Sequence, residues 1–375
     1  MKNRWTRVFL LVLCLCLLAQ PALADGLLPE LRDVFGVEMP NLGKALRIPS
    51  ETDETLPDGS RILNYKDISE QDYSAFSEYL LTFGCELADY SVEGSAVTFT
   101  LAKQGKTFTF VYDSEACTAV LNYPVGTHCE EFDYAAYVEE QEAAAAAAER
   151  EAKLAALKST GSYVTFGTYP QTKAGNDSTP IEWLVLDYDA ANNKALLISR
   201  YALDCQQYNT KYTSVTWETC TLRGWLNGEF VNKAFSAEEQ KAIITTDVDN
   251  SNSQGYNGYG TDGGKNTKDK IFLLSYAEAN QYFGVQYYSV DGAMDNLRSR
   301  VAPTDHAVRQ GVWTSSSYTT SEGKAAAWWW LRSHGSSASS AADVRGNGAL
   351  YYDGVNYNLD AVRPAFWLDL NSDIF

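Results

Sequence analysis

Histidine is nearly absent from this 375-residue chain: His128, His306 and His334 are the only three. No C-x-x-C pair occurs, so neither cysteine nor histidine shows the spacing of a zinc site. His306 and His334 stand in no nucleophile–base motif, which leaves a serine hydrolase without a recognisable base. Phosphate loops and dinucleotide fingerprints are missing too, because the glycine-rich "GYGTDGG" (258–264) has no strand-to-helix setting. Basic residues are in deficit: 30 Lys and Arg face 48 Asp and Glu, a net charge of −18. Such a chain repels nucleic acid and anionic membrane surfaces, and both are set aside as partners. After the N-terminus, no apolar run approaches the roughly twenty residues of a membrane span.

What is present begins with a secretory signal. Lys2, Arg4 and Arg7 precede the apolar core "VFLLVLCLCLL", and Ala22-Leu23-Ala24 forms a small-x-small cleavage site before Asp25. Leucine precedes both Cys14 and Cys16, which argues against lipid attachment at either. The expected product is a secreted chain starting near Asp25, with no membrane insertion after cleavage. It keeps Cys85, Cys117, Cys129, Cys205 and Cys220, an odd number, so at least one thiol is free or pairs with another chain. Buried apolar cysteines are the simpler expectation than a redox site.

Tryptophan is missing between Asp25 and Glu182, and eight occur from Trp183 onward. This shift divides the mature chain into modules. Residues 25–128 read as a small α+β domain. "LLPELRDVFG" (27–36) predicts a short helix, and "SEQDYSAFSEYLLTFG" (69–84) a longer one capped by Ser69, with Tyr73, Phe76, Leu80 and Phe83 on one face. Alternating runs with turns at Glu93-Gly94 and Gln104-Gly105 predict a three- or four-stranded meander. Residues 129–162 are alanine-rich with straight-chain charged residues, a helical linker roughly 40 Å long. Its alanine stripe suits a semi-rigid spacer better than a coiled coil.

The third segment, 163–375, opens with two strands joined at Asn192-Asn193. "TWETCTLRGWLNGEF" predicts a helix with Trp217, Thr221 and Trp225 on one face, and "SAEE" (236–239) and "SYAE" (275–278) match capping boxes. Between them, 249–267 is a glycine- and asparagine-rich loop. Asp247 and Asp249 begin an EF-hand-like alternation, but Asn252 and Gly258 stand where that loop needs glycine and glutamate. In "AAAWWWLRSH", Trp328 and Trp330 share one strand face and Trp329 takes the other. Core packing is expected for Trp329 and Trp330, while Trp328, at the strand start, is more open.

The ordered set "FGTYPQ", "IEWLVL", "LLIS", "LRGWLN", "AFS", "DKIFLLS", "WWLRS" and "VRPAFWLDL" resembles a secreted bacterial family of unknown function. That resemblance implies a C-type-lectin-like fold, similar to formylglycine-generating-enzyme domains and to retroelement-diversified ligand-binding domains. It implies scaffold roles for Trp329, Trp330, Leu331, Arg332, Ser333, Val362, Arg363, Pro364 and Ala365. His334 stands where relatives carry proline. Arg332 and Arg363 lie in apolar strands and should each meet a carboxylate or carbonyl. The lectin calcium motifs are absent, and the reactive cysteines of the formylglycine enzymes have no match, so neither activity carries over.

Between the two scaffold strands lies "HGSSASSAADVRGNGALYYDGVNYNLD" (334–360). Tyrosine, serine, glycine and asparagine dominate it, the composition of adaptable binding loops on a rigid frame. It lacks Lys, Glu, Gln, Met and Trp, the residues that adenine-directed diversification of AAC-type codons does not produce. The expected contact surface is Asp343, Arg345, Asn347, Tyr351, Tyr352, Asp353, Asn356, Tyr357 and Asn358. The expected function is non-catalytic binding of an extracellular glycan or protein, without cofactor or metal. Two alternatives stand beside it: a hydrolase or oxidase on the same scaffold, and a structural surface component self-associating through the long helix.

Overall fold

The computed structural model describes residues 37–129, 132–288 and 295–375. The secretory signal and the helix expected at 27–36 lie outside the described residues. The architecture is α+β, in two compact units that divide at Ala146/Ala147.

In the first unit, β1 (Val37–Met39) pairs in parallel with a later strand, β8 (Thr127–Cys129). β2 (Thr52–Thr55), β3 (Arg61–Tyr65), β4 (Glu86–Glu93), β5 (Ala96–Lys103), β6 (Lys106–Asp113) and β7 (Thr118–Tyr123) form one antiparallel sheet, ordered β2-β3-β7-β6-β5-β4. The sheet therefore has six strands rather than the three or four expected. The additional hairpin, β2–β3, carries no sequence signal, because β2 is exposed along its whole length and shows no apolar alternation. The helix Glu70–Thr82 starts at Ser69, whose hydroxyl accepts from the Asp72 amide in a reciprocal capping box. Its Tyr73 stacks on Tyr112 at 4.7 Å and its Phe76 meets Phe110 edge-on at 5.1 Å, which fixes the helix to β6. At the β5–β6 turn both Gln104 and Gly105 have positive φ, as a two-residue hairpin requires.

The alanine-rich helix runs from Tyr134 to Leu157, and Leu157 is its buried residue. At 1.5 Å per residue it is about 36 Å long. Its remaining surface is polar and alanine-rich, as the composition dictates.

The second unit holds two principal sheets. β9 (Tyr163–Tyr169), β10 (Thr179–Asp189), β11 (Lys194–Ser199) and the final strand, β21 (Ala365–Asp369), form an antiparallel sheet ordered β21-β11-β10-β9. The unit's first and last strands thus close in one sheet. β12 (Asp204–Cys205), β17 (Trp329–His334), β18 (Ser340–Val344), β19 (Leu350–Gly354) and β20 (Ala361–Val362) form the other, ordered β12-β20-β17-β18-β19. Two small hairpins complete the strands: β13 (Thr246–Val248) with β14 (Thr267–Asp269), and β15 (Thr314–Thr319) with β16 (Ala325–Ala327).

Both expected capping boxes form, at Ser236/Glu239 and Ser275/Glu278. The tryptophan-bearing helix starts later than its apolar spacing suggested. Thr216 to Cys220 make a turn, and helix begins at Thr221, passing through a π-turn at Leu226–Phe230. Trp217 is drawn out of the helix because its indole N–H donates to the buried Asp269 carboxylate at 2.9 Å. Cys85, Cys129 and Cys220 are buried, Cys205 is half-buried and Cys117 exposed, and among the described residues no disulfide joins any two of the five.

Arg332 and Arg363 meet the partners expected of them. Arg332 forms a two-pronged ion pair with Glu278 and donates to the carbonyls of Leu273 (2.9 Å) and Asp249 (3.0 Å). Arg363 donates to the Ser199 carbonyl at 3.0 Å and lies over the rings of Phe283 and Trp329.

Candidate functional site

β18 lies between β17 and β19, so its side chains are hemmed in from both sides. Asp343 opposes Trp330 on one neighbour and Tyr351 on the other. Opposed residues share a sheet face, and Arg345, two residues on, projects to the same side. Trp330 is fully buried there, and its indole N–H donates to the Gln206 carbonyl at 3.0 Å. Trp329 is fully buried as well, while Trp328 is half-buried at the strand's open end.

That open end carries an aromatic face. The Arg345 guanidinium lies 3.8 Å from the centre of the Trp328 ring and 4.6 Å from that of Tyr351. Trp313 lies 4.3 Å from Trp328, and its backbone N–H is anchored on the Leu359 carbonyl. Tyr357 stacks over Trp328 at 6.3 Å, held by a turn whose amide bonds the Gly354 carbonyl. Tyr351, on the edge strand, is 38% exposed.

Beneath the rings lie three carboxylates, Asp343, Asp353 and Asp360, which offer one oxygen each within 4.8 Å of one another. Asp343 and Asp360 are fully buried and Asp353 half-buried. Arg345 Nε lies 3.0 Å from Asp343 and Nη2 lies 2.8 Å from Asp353. These are ion pairs in distance, but their angles fall short of hydrogen bonds, and both Asp343 oxygens remain without a donor. Neither Asp360 oxygen has a donor either. Burial pushes the Asp343 carboxyl up, against the pull of Arg345. Burial and then the charge of Asp343 raise Asp360. Burial raises Asp353 too, with Arg345 opposing.

The structure assembles only part of the surface expected from sequence. Arg345, Tyr351, Asp353 and Tyr357 come together. Asp343 belongs to the cluster but is fully buried beneath it, in a central strand opposite Trp330, and is closed to solvent. Asn347 is a turn residue whose side chain accepts from the Ala349 amide. Tyr352, although stacked on Tyr351, meets Tyr259 edge-on and joins a separate cluster with Tyr256 and Tyr287. Asn356 and Asn358 are exposed, and their backbone carbonyls, not their side chains, bind Gln207 and Cys205. Trp313, Trp328 and Asp360 were not among the residues expected at the contact surface. Strand alternation puts Trp328 on the face of Trp330 and its open position was expected, but nothing in the sequence announces the approach of Trp313.

Chemically, this cluster is poorly placed for glycoside hydrolysis. An acid and its partner carboxylate must flank a substrate bond, and Asp343 and Asp360 are closed off from solvent. A second polar group, Tyr169, Asp204 and His306, is buried: the Tyr169 hydroxyl donates to Asp204 at 2.6 Å, His306 Nε2 lies 3.7 Å from that carboxylate, and Gln206 donates to its other oxygen at 3.2 Å.

The β18–β19 turn fixes the rim through Gly348. Its φ is +87°, and a Cβ there would collide with the Asn296 carbonyl oxygen. Gly348→Ala is therefore expected to cost about 2 kcal/mol or more through strain and clash. Urea unfolding followed by tryptophan emission checks this; an unchanged midpoint would show that the turn adapts freely.

Residues 192–370 match a family described as a domain of unknown function (DUF6273). The match begins after β9 and β10, yet both strands belong to the sheet that β11 and β21 complete, so the folded unit extends upstream of it. No curated protein and no solved structure matches the chain.

Proposed function

We propose that the DUF6273-containing unit is a non-catalytic binding domain that engages a glycan or protein ligand through the face formed by Trp313, Trp328, Arg345, Tyr351 and Tyr357. The carrying observation is the guanidinium of Arg345 held between the Trp328 and Tyr351 rings and tied from below to Asp343 and Asp353. Half-open aromatic rings bring apolar contact area at low entropic cost, and a fixed guanidinium adds oriented donors. The frame underneath is rigid, since β17 and β18 are buried along their whole lengths. This is the division of labour of a ligand-binding domain: buried strands hold loops whose side chains can vary. It fits the C-type-lectin-like reading of the sequence, a secreted location, and diversification of 334–360.

The test is a glycan array together with a pull-down of surface proteins, using the mature protein and the variant Tyr351→Ala/Tyr357→Ala. Loss of both rings should weaken binding at least about tenfold, by analogy with aromatic hot spots. Tyr163→Ala removes a 50%-exposed ring from β9, in the other sheet, and should leave binding unchanged. Equal binding by wild type and the double variant, with its melting intact, removes the face from consideration.

A further inference from the structure

The carboxylates beneath the aromatic face are not balanced by the groups around them. Asp343, Asp353 and Asp360 share one guanidinium, that of Arg345, and full ionisation leaves two negative charges over. Buried carboxylates in native proteins are paired, hydrogen-bonded or metal-bound. Asp360 is fully buried, points into the cluster, and has no donor on either oxygen; Asp343 is fully buried with no hydrogen bond. Hydrogen bonds from the surrounding backbone do not relieve either residue.

We propose that Asp343, Asp353 and Asp360 form a calcium site beneath the binding face. A divalent ion supplies the two missing positive charges. The donors are all carboxylate oxygens, which select hard cations over zinc or copper. Calcium suits them better than magnesium, because it accepts irregular oxygen geometry at about 2.3–2.6 Å, so its ligands stand up to about 5 Å apart, whereas magnesium demands a near-ideal octahedron and keeps most of its waters. Each of the three carboxylate oxygens already lies within 4.8 Å of the others. Asp343 sits on β18 and Asp353 on β19, adjacent strands, and Asp360 directly precedes β20. An ion here would tie the loop 355–360, which carries Tyr357, to the central sheet. It would also share two ligands with Arg345, so ion binding and the position of the guanidinium between its rings are coupled. This site is separate from the Asp247/Asp249 loop, where Asp247 pairs with Lys268 and Asp249 accepts from the Ser251 amide.

The mature full-length protein, stripped with a chelator and dialysed, is titrated with terbium, whose emission is sensitised by nearby tryptophan, and separately melted with and without calcium chloride. One terbium ion per chain should bind with sensitised emission, and excess calcium should displace it. Saturating calcium should raise the melting temperature by about 5–10 °C, and magnesium at the same concentration by less. Asp360→Asn keeps the shape and removes a ligand, so it should abolish the emission and the calcium shift while melting at or above the ion-free wild type. Asp353→Asn, at a half-buried position, serves as the second variant. Asp247→Asn removes an exposed carboxylate elsewhere and should retain the full response. No emission and no calcium shift in the wild type overturns the proposal, as does an undiminished response in folded Asp360→Asn. Ligand capture on the array is read independently, so failure here leaves the binding face standing.

Discussion

Replacing Trp329 or Trp330 by alanine is expected to remove about 3–5 kcal/mol from the stability of the second unit. Both indoles are fully buried, and each N–H is satisfied by a backbone carbonyl, Ser299 for Trp329 and Gln206 for Trp330. Truncation therefore leaves a large cavity and an unpaired carbonyl together. Trp329 also underlies the Arg363 guanidinium, and Trp330 meets Tyr208 edge-on at 5.7 Å. Trp328→Ala should cost clearly less, because that ring is half-open; its loss should fall on binding. Tryptophan emission is a convenient probe, since every tryptophan after Trp5 lies in this unit. The urea midpoint should drop by on the order of 1–2 M for either buried tryptophan. Equal costs at all three positions would contradict the division between buried support and open face.

Arg332→Met is expected to cost about 3 kcal/mol, because it removes a buried arginine from its ion pair with the half-buried Glu278 and strands two carbonyls. Arg332 joins three separate pieces of chain to β17: the helix that begins at Tyr276, through Glu278, and the carbonyls of Leu273 and Asp249. Glu278 has two duties, since the oxygen facing Arg332 also accepts from the Ser275 amide in the capping box. Methionine replaces the stem but strands both carbonyls and the carboxylate. In a double-mutant cycle with Glu278→Gln, the double variant should be little worse than Arg332→Met alone, because the pair acts as a unit. Additive losses would mean that the arginine acts mainly through the carbonyls.

The sequence carried much of this frame because its local signals agree with its tertiary use. Ser69, Ser236 and Ser275 each cap a helix, and Gln104-Gly105 and the Asn192-Asn193 region turn hairpins, by chemistry confined to a few residues. Trp329 and Trp330 were legible as core because Leu331 continues the apolar run. Three features were not legible, for physical reasons. β2 is an exposed edge strand, and exposure erases the alternation that marks a strand. Trp217 sits at a helical spacing, but its bond to Asp269, some fifty residues away, overrides the period. The aromatic face and the carboxylates beneath it depend on Trp313 reaching Trp328 and on Asp360 reaching Asp343, contacts between segments that strand pairing alone brings together. Composition singled out the stretch 334–360, but alternation within β18 and β19 decides which of its residues look outward, and that requires the register. Asp343 shows the consequence: a charged residue in a polar-looking run turns out to be the most enclosed member of the cluster.

The most direct measurement of the central idea is a titration of the mature protein with the glycan or protein captured in the binding screen, followed by tryptophan emission and calorimetry. Trp313 and Trp328 lie at the face, whereas Trp183, Trp217, Trp329 and Trp330 are fully buried. The predicted result is a saturable emission change in the wild type, with affinity at least about tenfold weaker in Tyr351→Ala/Tyr357→Ala and unchanged melting of that variant. Full affinity in the double variant, with the fold intact, would contradict a ligand seated over the Arg345 guanidinium and its two flanking rings.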